Sequence, residues 1–261
     1  SYWSGGPEVT RLEKTIAAFV GRKYAVTFNS GTTAQFALML AIGVHAGDEV
    51  IVPSFTYIST ANAVLFAGGK PVWADIENHT FGLDAEDVRR KITPRTKAIM
   101  PIHFAGCPCA DIDQLVKIAK LHHLRLIEDA AQSLGSKLNG QMVGSFGDAA
   151  MFSFCHDKVI TAGEGGIAVT DSNSIYQKLQ AIRQNYSFRM STLTASLVLA
   201  QFGRIKQHIA ARRKIAAKYH QLLNGIDGIR LPVVPTGGRH IFQKYTIRID
   251  PRLRNRLADY L

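Results

Sequence analysis

The strongest constraint on the fold is a regular alternation of short apolar runs with segments of helical periodicity, from Tyr24 to Thr170. Short apolar runs bounded by turn residues predict buried strands, and apolar positions that recur every three or four residues predict helices. Strands that alternate with helices favour a mainly parallel sheet with helices on both faces. We therefore expect an α/β protein.

The predicted strands span residues 24–28, 49–53, 71–76, 98–104, 124–128, 149–154 and 167–170. The helices predicted between them span residues 32–43, 58–68, 84–92 and 112–123. In sheets of this kind, binding sites lie at the carboxyl ends of the strands. Ser30, Ser54, Asp129 and Ser153 stand at predicted strand ends, so we expect a site at that edge of the sheet.

The pattern changes after Asp171. Residues 174–184 and 194–223 have helical periodicity, with a possible kink at Gly203, and residues 240–249 read as a strand before a last short helix. We predict a large domain over residues 1–190 and a smaller C-terminal α/β domain over residues 191–261.

The net charge of +11 is concentrated in the C-terminal part. Residues 200–261 carry thirteen Lys or Arg against three Asp. A basic region of this kind attracts nucleic acid, an acidic lipid surface or a phosphorylated small molecule. For Arg212, Arg213 and Lys214 the simpler interpretation is a solvated helix face.

Composition favours a soluble, cytoplasmic protein. No apolar run approaches the roughly 18 residues of a membrane span, and no secretory leader opens the chain. Three cysteines, Cys107, Cys109 and Cys155, are too few for a disulfide framework. Cys107 and Cys109 lack a second Cys or His pair at usable spacing, so no metal site is predicted.

Three sequence features together are typical of an enzyme that holds pyridoxal phosphate. This cofactor needs an amine for its aldehyde, a carboxylate for its pyridine nitrogen, and hydroxyl and N–H groups for its phosphate. Ser30-Gly31-Thr32 opens a helix directly after a strand, where free N–H groups favour an anion. Taken alone, an ordinary serine helix cap with a glycine in the turn is the better explanation of that segment.

The carboxylate candidate is Asp129, which ends the apolar run 124–128 and would need a cationic partner if buried. The alternative is an Asp that caps a helix or forms a salt bridge. Gln132 could reach the cofactor's phenolic oxygen if a helix begins there. The amine candidate is Lys158, between the aromatic strand that ends with Phe154 and the glycine turn 163–166.

These residues belong to longer segments that together resemble the DegT/StrS family of sugar aminotransferases, which have the fold type I architecture. The segments that carry the resemblance are residues 3–9, 29–32, 47–56, 92–99, 128–132 and 152–166. The family implies a large domain with a mainly parallel seven-stranded sheet between helices, and pyridoxal phosphate as the cofactor. Because the family's chains usually continue well beyond the position of Leu261, the resemblance implies that the smaller domain is truncated.

The resemblance also implies a role for each matching residue. Lys158 resembles the Schiff-base lysine, Asp129 the partner of the pyridine nitrogen and Gln132 the neighbour of the phenolic oxygen. The implied phosphate-binding and ring-stacking residues are Gly31, Thr32, Ser153 and Tyr57.

The family implies a cytoplasmic homodimer with shared active sites. An Asn of the family usually reaches the neighbouring subunit's phosphate, and this chain has Ser187 there, followed by Phe188 and Arg189. Serine is shorter than asparagine, so we expect the contact with the neighbouring subunit's phosphate to be weaker, water-mediated or supplied by Arg189 instead.

The implied reaction moves an amino group from glutamate to a nucleotide-linked keto-deoxy sugar, for cell-surface polysaccharide such as lipopolysaccharide or for secondary-metabolite sugars. A keto cyclitol or other non-nucleotide ketone is the main alternative. A dehydratase branch of the family has histidine in place of the lysine, and Lys158 argues against it. A non-catalytic regulator that binds nucleic acid would not need Asp129, Ser153 and Lys158 together.

Overall fold

The computed structural model describes residues 3–261, which form a central sheet between helices. The strands are β1 (Tyr24–Phe28), β2 (Glu49–Pro53), β3 (Lys70–Ala74), β4 (Thr96–Ile99), β5 (Arg125–Asp129), β6 (Lys137–Leu138), β7 (Gln141–Met142), β8 (Ala149–Ser153), β9 (Gly166–Thr170) and β10 (Gly238–Arg239). Within the described residues, seven of these make one sheet in the order β1-β9-β8-β5-β4-β2-β3. The predicted mainly parallel seven-stranded sheet is confirmed.

Only β9 runs against its neighbours in this sheet, since it pairs antiparallel with both β1 and β8. The register places Phe28 opposite Gly166 and Gly166 opposite Ser153. The carboxyl ends of β1 and β8 therefore lie on either side of the start of β9. A Cβ atom on Gly166 would stand 2.3 Å from the carbonyl oxygen of Ser30, so only glycine allows this approach.

Helices cover both faces of the sheet. The helices are α1 (Pro7–Val20), α2 (Gly31–Ala41), α3 (Ile58–Phe66), α4 (Ala85–Lys91), α5 (Ile112–Leu121), α6 (Asn173–Asn185), α7 (Thr192–Phe202), α8 (Ile205–Leu223) and α9 (Pro251–Tyr260). Phe152 of β8 packs in a cluster with α1 and α7, whereas the preceding Met151 packs in a cluster with α2, α3 and α6. Successive strand residues therefore bury opposite faces, as a sheet covered on both sides requires.

Helix α1 was not predicted from the sequence, although Pro7 stands at its first position and the helix ends at Gly21 in the left-handed conformation. The long helix predicted over residues 194–223 is two helices, α7 and α8, which are separated at Gly203 and Arg204. The possible kink at Gly203 is thus a break.

The prediction of a strand over residues 240–249 was wrong. Residues 240, 241 and 243 are buried, which resembles strand alternation, but the chain there docks on the turn at residues 104–106. Ile241 donates its N–H to the carbonyl of Gly106, and Lys244 donates to that of Ala105. Arg248 forms an isolated antiparallel bridge with Arg230, and β10, immediately before the segment, pairs with β6 of the β6–β7 hairpin.

The C-terminal segment packs against the buried apolar cluster on one face of the large sheet. Ile205, Ile209 and Ile241 belong to the same buried cluster as α1 and β8. The domain division at residue 190 stays a prediction. Among the described residues, no helix combines the length and apolar character needed to cross a membrane.

Candidate active site

A cavity of about 260 Å³ opens at the carboxyl ends of β5 and β8, beside the first turn of α2. Its walls contain seven of the eight residues predicted for the site: Gly31, Thr32, Tyr57, Asp129, Gln132, Ser153 and Lys158. The structure therefore brings together residues that are scattered along the sequence. Their individual roles stay predictions.

The first turn of α2 forms the wall next to β8. Ser30 caps the helix, since its Oγ accepts the N–H of Thr33 at 3.1 Å and its own N–H donates to Thr33 Oγ1. This capping box leaves the N–H groups of Gly31 and Thr32 at the positive end of the helix dipole. A Cβ on Gly31 would lie 3.0 Å from the Cβ of Ser153, so glycine is what lets the helix approach the strand.

Asp129 is a buried carboxylate at the end of β5. Its Oδ2 accepts hydrogen bonds from Gln35 at 2.5 Å and Thr60 at 2.8 Å, and its Oδ1 accepts the N–H of Ala131 at 3.2 Å. All three donors are neutral. Burial raises the pKa of Asp129 above its ordinary 3.8, and the hydrogen bonds from Thr60, Ala131 and Gln35 offset this only in part.

Gln132 lies in the first of two successive tight turns, not in the helix that its predicted reach assumed. Its Oε1 accepts the N–H of Ala105 at 2.6 Å. Because that bond occupies the carbonyl end of the amide, the donor end is free for a ligand in the cavity.

Lys158 is the last residue of a turn and donates its N–H to the carbonyl of Cys155. The side chain is mostly buried, and its Nζ lies 2.8 Å from Oδ1 of Asp157. The Nζ of Lys244 lies 3.7 Å from Oδ2 of the same carboxylate. Two amines therefore share one carboxylate at this side of the cavity.

Tyr57 precedes α3 and is 68% exposed, although it lines the cavity. Such an exposed ring offers a flat apolar face beside the cavity.

Ser187 is the one predicted site residue that lies away from the cavity. It is exposed, with φ of +56°, and its neighbour Phe188 accepts the N–H of Asn29 through its carbonyl. Arg189 donates to the side-chain oxygen of Gln184 at 3.1 Å. Neither Ser187 nor Arg189 lines the cavity of its own chain.

Several residues of the site were not predicted from the sequence. Gln35 and Thr60 each stand three residues after a predicted site residue, Thr32 and Tyr57, so helical spacing could have found them. Asp157 is next to Lys158. Lys244 carries no local signal, because only the fold brings it to the cavity.

The basic residues of α8 have a structural role that was not predicted. Arg212 donates to the carbonyl of Gln243, and Arg213 donates to that of His240, each at 3.1 Å. The guanidinium groups therefore hold the segment that carries Lys244.

Cys107 and Cys109 are buried thiols. Burial, with a smaller contribution from the charge of Glu77, raises the pKa of Cys107 to about 12. Among the described residues, no group of three or more His, Cys, Asp and Glu could hold a metal ion.

The cavity fits the pyridoxal phosphate that the sequence implies. Asp129 is a buried acid with neutral donors only, so a pyridinium N–H would supply the missing positive partner. The close approach at Gly31 places helix N–H groups beside the Ser153 hydroxyl, which suits a phosphate. Lys158 supplies an amine in the same cavity.

Comparisons with known proteins agree with this chemistry. The model of the DegT/DnrJ/EryC1/StrS aminotransferase family matches residues 1–261. GDP-perosamine synthase of Caulobacter vibrioides is 40% identical over 265 residues, which cover 96% of this chain and 71% of that protein. UDP-N-acetyl-3-dehydro-alpha-D-glucosamine 3-aminotransferase of Acidithiobacillus ferrooxidans is 37% identical over 260 residues, 95% of this chain and 70% of that protein.

A solved structure of S. venezuelae DesV in complex with a ketimine intermediate has a TM-score of 0.92 and 34% identity, over 98% of this chain and 73% of that one. The neighbouring structures are fold type I aminotransferases. This chain thus belongs to the DegT/DnrJ/EryC1/StrS aminotransferase family and has the fold type I architecture that its sequence motifs predicted.

Proposed function

We propose that this aminotransferase binds pyridoxal phosphate in the cavity and moves an amino group from glutamate to a nucleotide-linked keto-deoxy sugar. The observation that carries the proposal is the meeting of the Lys158 amine, the Asp129 carboxylate and the first turn of α2 in one cavity. The C. vibrioides and A. ferrooxidans relatives are named for GDP-linked and UDP-linked sugars, which supports the substrate class.

Each residue contributes a separate task. When bound, pyridoxal phosphate supplies an electron sink that makes the C–H bond next to the transferred nitrogen acidic. Lys158 holds the cofactor covalently and, when its amine is free, moves the proton at that carbon. Asp129 keeps the pyridine nitrogen protonated, Gln132 donates its amide to the phenolic oxygen, and Tyr57 covers one face of the ring.

Borohydride reduction tests the cofactor assignment. The purified protein should be yellow, and reduction followed by peptide mass spectrometry should find the cofactor fixed on Lys158. His156 also lines the cavity, so a dehydratase that does not use a lysine link is the relevant alternative. An adduct on another lysine, or no adduct in a yellow protein, would refute the assignment.

The acceptor is tested by incubating the enzyme and glutamate with GDP-, UDP- and TDP-linked keto sugars, and with keto cyclitols as the comparison. Mass spectrometry should detect an aminated nucleotide sugar. Amination of a cyclitol alone would replace the nucleotide-linked class. The cytoplasmic location and a place in lipopolysaccharide or related sugar biosynthesis stay predictions.

We also propose a homodimer in which each site is completed by the partner. Ser187 and Arg189 lie outside their own cavity, while Tyr57, Ile58 and Phe66 leave large apolar side chains exposed on and beside α3. Exposed apolar surface next to a site is typical of an interface.

The dimer is tested by mixing chains that carry Lys158→Ala with chains that carry Arg189→Ala. If sites are shared, one site of each heterodimer has both intact residues, and activity should return. An active monomer by light scattering would contradict the proposal. So would the absence of recovery in isolated heterodimers when each homodimer is inactive.

A further inference from the structure

In the described part of the chain, two lysines and no arginine line the cavity. They are Lys158 and Lys244. The carboxylates of the same walls are Asp129, Asp157 and Glu164. An amino-acid donor brings at least one more carboxylate into this acidic surrounding. A buried or half-buried carboxylate requires a cationic or hydrogen-bonding partner, and Lys244 is available for that task.

The backbone around Lys244 is held firmly. Its N–H donates at 3.1 Å to the carbonyl of Ala105, whose own N–H donates to Gln132. The preceding residue, Gln243, donates its side-chain amide at 2.9 Å to the carbonyl of Asp157 and accepts from Arg212. These bonds fix Lys244 between two segments of the cavity wall.

The ammonium of Lys244 is much less constrained than its backbone. Its side chain is 52% exposed, and its Nζ lies 3.7 Å from Asp157 Oδ2, beyond hydrogen-bond distance. The other oxygen of Asp157 lies 2.8 Å from the Nζ of Lys158. Exposed ion pairs with such a separation contribute little to stability, so the three N–H donors of Lys244 can turn to a ligand.

We infer that Lys244 binds the α-carboxylate of the amino donor. This assignment rests on the proposed function and names a specificity residue of that same site. The α-carboxylate is one bond away from the carbon that bears the donor's amine, and that amine must replace the Lys158 amine. Because Asp157 lies 2.8 Å from the Nζ of Lys158 and 3.7 Å from that of Lys244, the two amines stand beside one carboxylate, and Lys244 is placed to meet a group bonded next to the carbon that bears the donor's amine. The diphosphate of a nucleotide sugar is separated from the reacting ketone by several bonds of the sugar ring.

The test follows the glutamate half-reaction of the purified, cofactor-loaded enzyme by absorbance, over a range of glutamate concentrations. Lys244→Met keeps the length of the side chain and removes its charge. We expect the half-saturating glutamate concentration to rise about tenfold to hundredfold, since a charge-assisted hydrogen bond is lost. The limiting rate should change much less.

Three controls separate binding from structural damage. Lys244→Arg, which retains the charge, should recover glutamate binding to within a few-fold. Lys214→Met removes an exposed lysine of α8 away from the cavity and should leave the half-reaction unchanged. The affinity for 2-methylglutamate, which carries the α-carboxylate but no removable α-proton, should weaken in Lys244→Met as glutamate binding does. If Lys244→Met loses the cofactor's absorbance, Lys244→Gln replaces it.

The outcomes distinguish this inference from the proposed function. If no amino acid converts the wild-type enzyme, both are overturned. If glutamate converts the wild type and Lys244→Met shows the same glutamate dependence, only the Lys244 assignment is overturned. A change confined to the keto-sugar half-reaction would overturn the Lys244 assignment in the same way. An equal loss of glutamate affinity in Lys244→Met and Lys244→Arg would also overturn it.

Discussion

Glu128 and Asp129 are consecutive buried carboxylates at the end of β5, yet their surroundings are opposite. Successive side chains of a strand point to opposite faces of the sheet, so the two residues meet different parts of the protein. The pKa of Glu128 is lowered and that of Asp129 is raised.

Protein groups satisfy the hydrogen-bonding capacity of the Glu128 carboxylate. Its two oxygens accept hydrogen bonds from the N–H groups of Gly144, Phe146 and Gly147 and from His103 Nε2, at 2.7 to 3.1 Å. Burial pushes the pKa of Glu128 up, but the hydrogen bonds from His103, Gly147 and Gly144 outweigh it and hold the pKa below its ordinary 4.5.

The proton on His103 is fixed by its second nitrogen. Nδ1 accepts the N–H of Cys109 at 3.0 Å, so Nε2 is the nitrogen that donates to Glu128. His103 therefore donates from Nε2 to Glu128, and its presence lowers the pKa of both carboxylates, although burial outweighs it at Asp129.

Asp129 has only neutral donors and lines the cavity. Glu128 does not line the cavity, and its two oxygens accept four hydrogen bonds from the protein, so it stabilises the fold. A buried carboxylate that lines a cavity and accepts only from neutral donors, as Asp129 does, is completed by a cationic group of a ligand. The comparison teaches that burial alone does not separate a structural acid from a functional one, whereas the inventory of donors does.

The largest expected difference between the two acids is in turnover. Asp129→Asn should lower the rate about 10³-fold or more, because the charge partner of the cofactor's ring nitrogen is lost. Glu128→Gln should retain near wild-type turnover per folded, cofactor-bound molecule. Steady-state rates normalised to bound cofactor check this, and near wild-type turnover in Asp129→Asn would remove that residue from the mechanism.

The next effect is on the free energy of unfolding, where the substitution of Glu128 should cost more than that of Asp129. In Glu128→Gln an amide NH₂ replaces an oxygen that accepts two hydrogen bonds. Two buried N–H groups of the protein then point at another N–H donor and lose their acceptor. We expect the free energy of unfolding to fall by about 3–5 kcal/mol. Asp129→Asn, measured without cofactor, should stay within about 1 kcal/mol of the wild type. Urea unfolding gives both values, and equal losses would contradict the comparison.

The two acids should also give the cofactor-free protein opposite dependences on pH. The stabilisation from Glu128 is present above its ordinary pKa of 4.5 and is lost as pH falls through its lower folded pKa. The contribution of Asp129 is present below 3.8 and is lost as pH rises through its raised folded pKa.

Unfolding midpoints measured across the acid and neutral range separate these contributions. Glu128→Gln should lose less stability than the wild type on acidification below pH 4.5. Asp129→Asn should gain relative to the wild type as the pH rises above 3.8. Parallel curves for all three proteins would show that neither carboxylate has the assigned shift.

The smallest effect concerns one neutral donor of Asp129. Thr60→Val removes the hydroxyl that donates at 2.8 Å to Oδ2 and retains the shape of the side chain. We expect a loss of about 1 kcal/mol in unfolding free energy and less than about a tenfold loss in turnover. Thr33→Val, which removes the hydroxyl that accepts the Ser30 N–H in the α2 capping box, is a matched comparison, since it should leave Asp129 unaffected.

Much of the sheet was predictable because its strands are short apolar runs between helical periods. The predicted strands at residues 24–28 and 49–53 coincide with β1 and β2. The segment 240–249 was not predictable in the same way. Its alternating burial comes from docking on Ala105 and Gly106, which only the tertiary fold establishes.

The site was predictable where a motif stands on one strand end or helix start, as for Asp129 and the α2 cap. The difference between Glu128 and Asp129 was not, because the donors of Glu128 come from the loop at residues 144–147 and from His103. Lys244 was missed for the same reason. Long-range contacts decide these roles, and sequence spacing does not contain them.

The most direct test of the contrast between the two acids is the shift in melting temperature that pyridoxal phosphate produces in the wild type, Asp129→Asn and Glu128→Gln. At about 100 times its dissociation constant, a ligand stabilises a protein by about 2.7 kcal/mol. Glu128→Gln should melt earlier without the cofactor and keep a wild-type shift. Asp129→Asn should melt near the wild type without the cofactor and show a reduced shift. A full shift in Asp129→Asn together with a lost shift in Glu128→Gln would contradict the account.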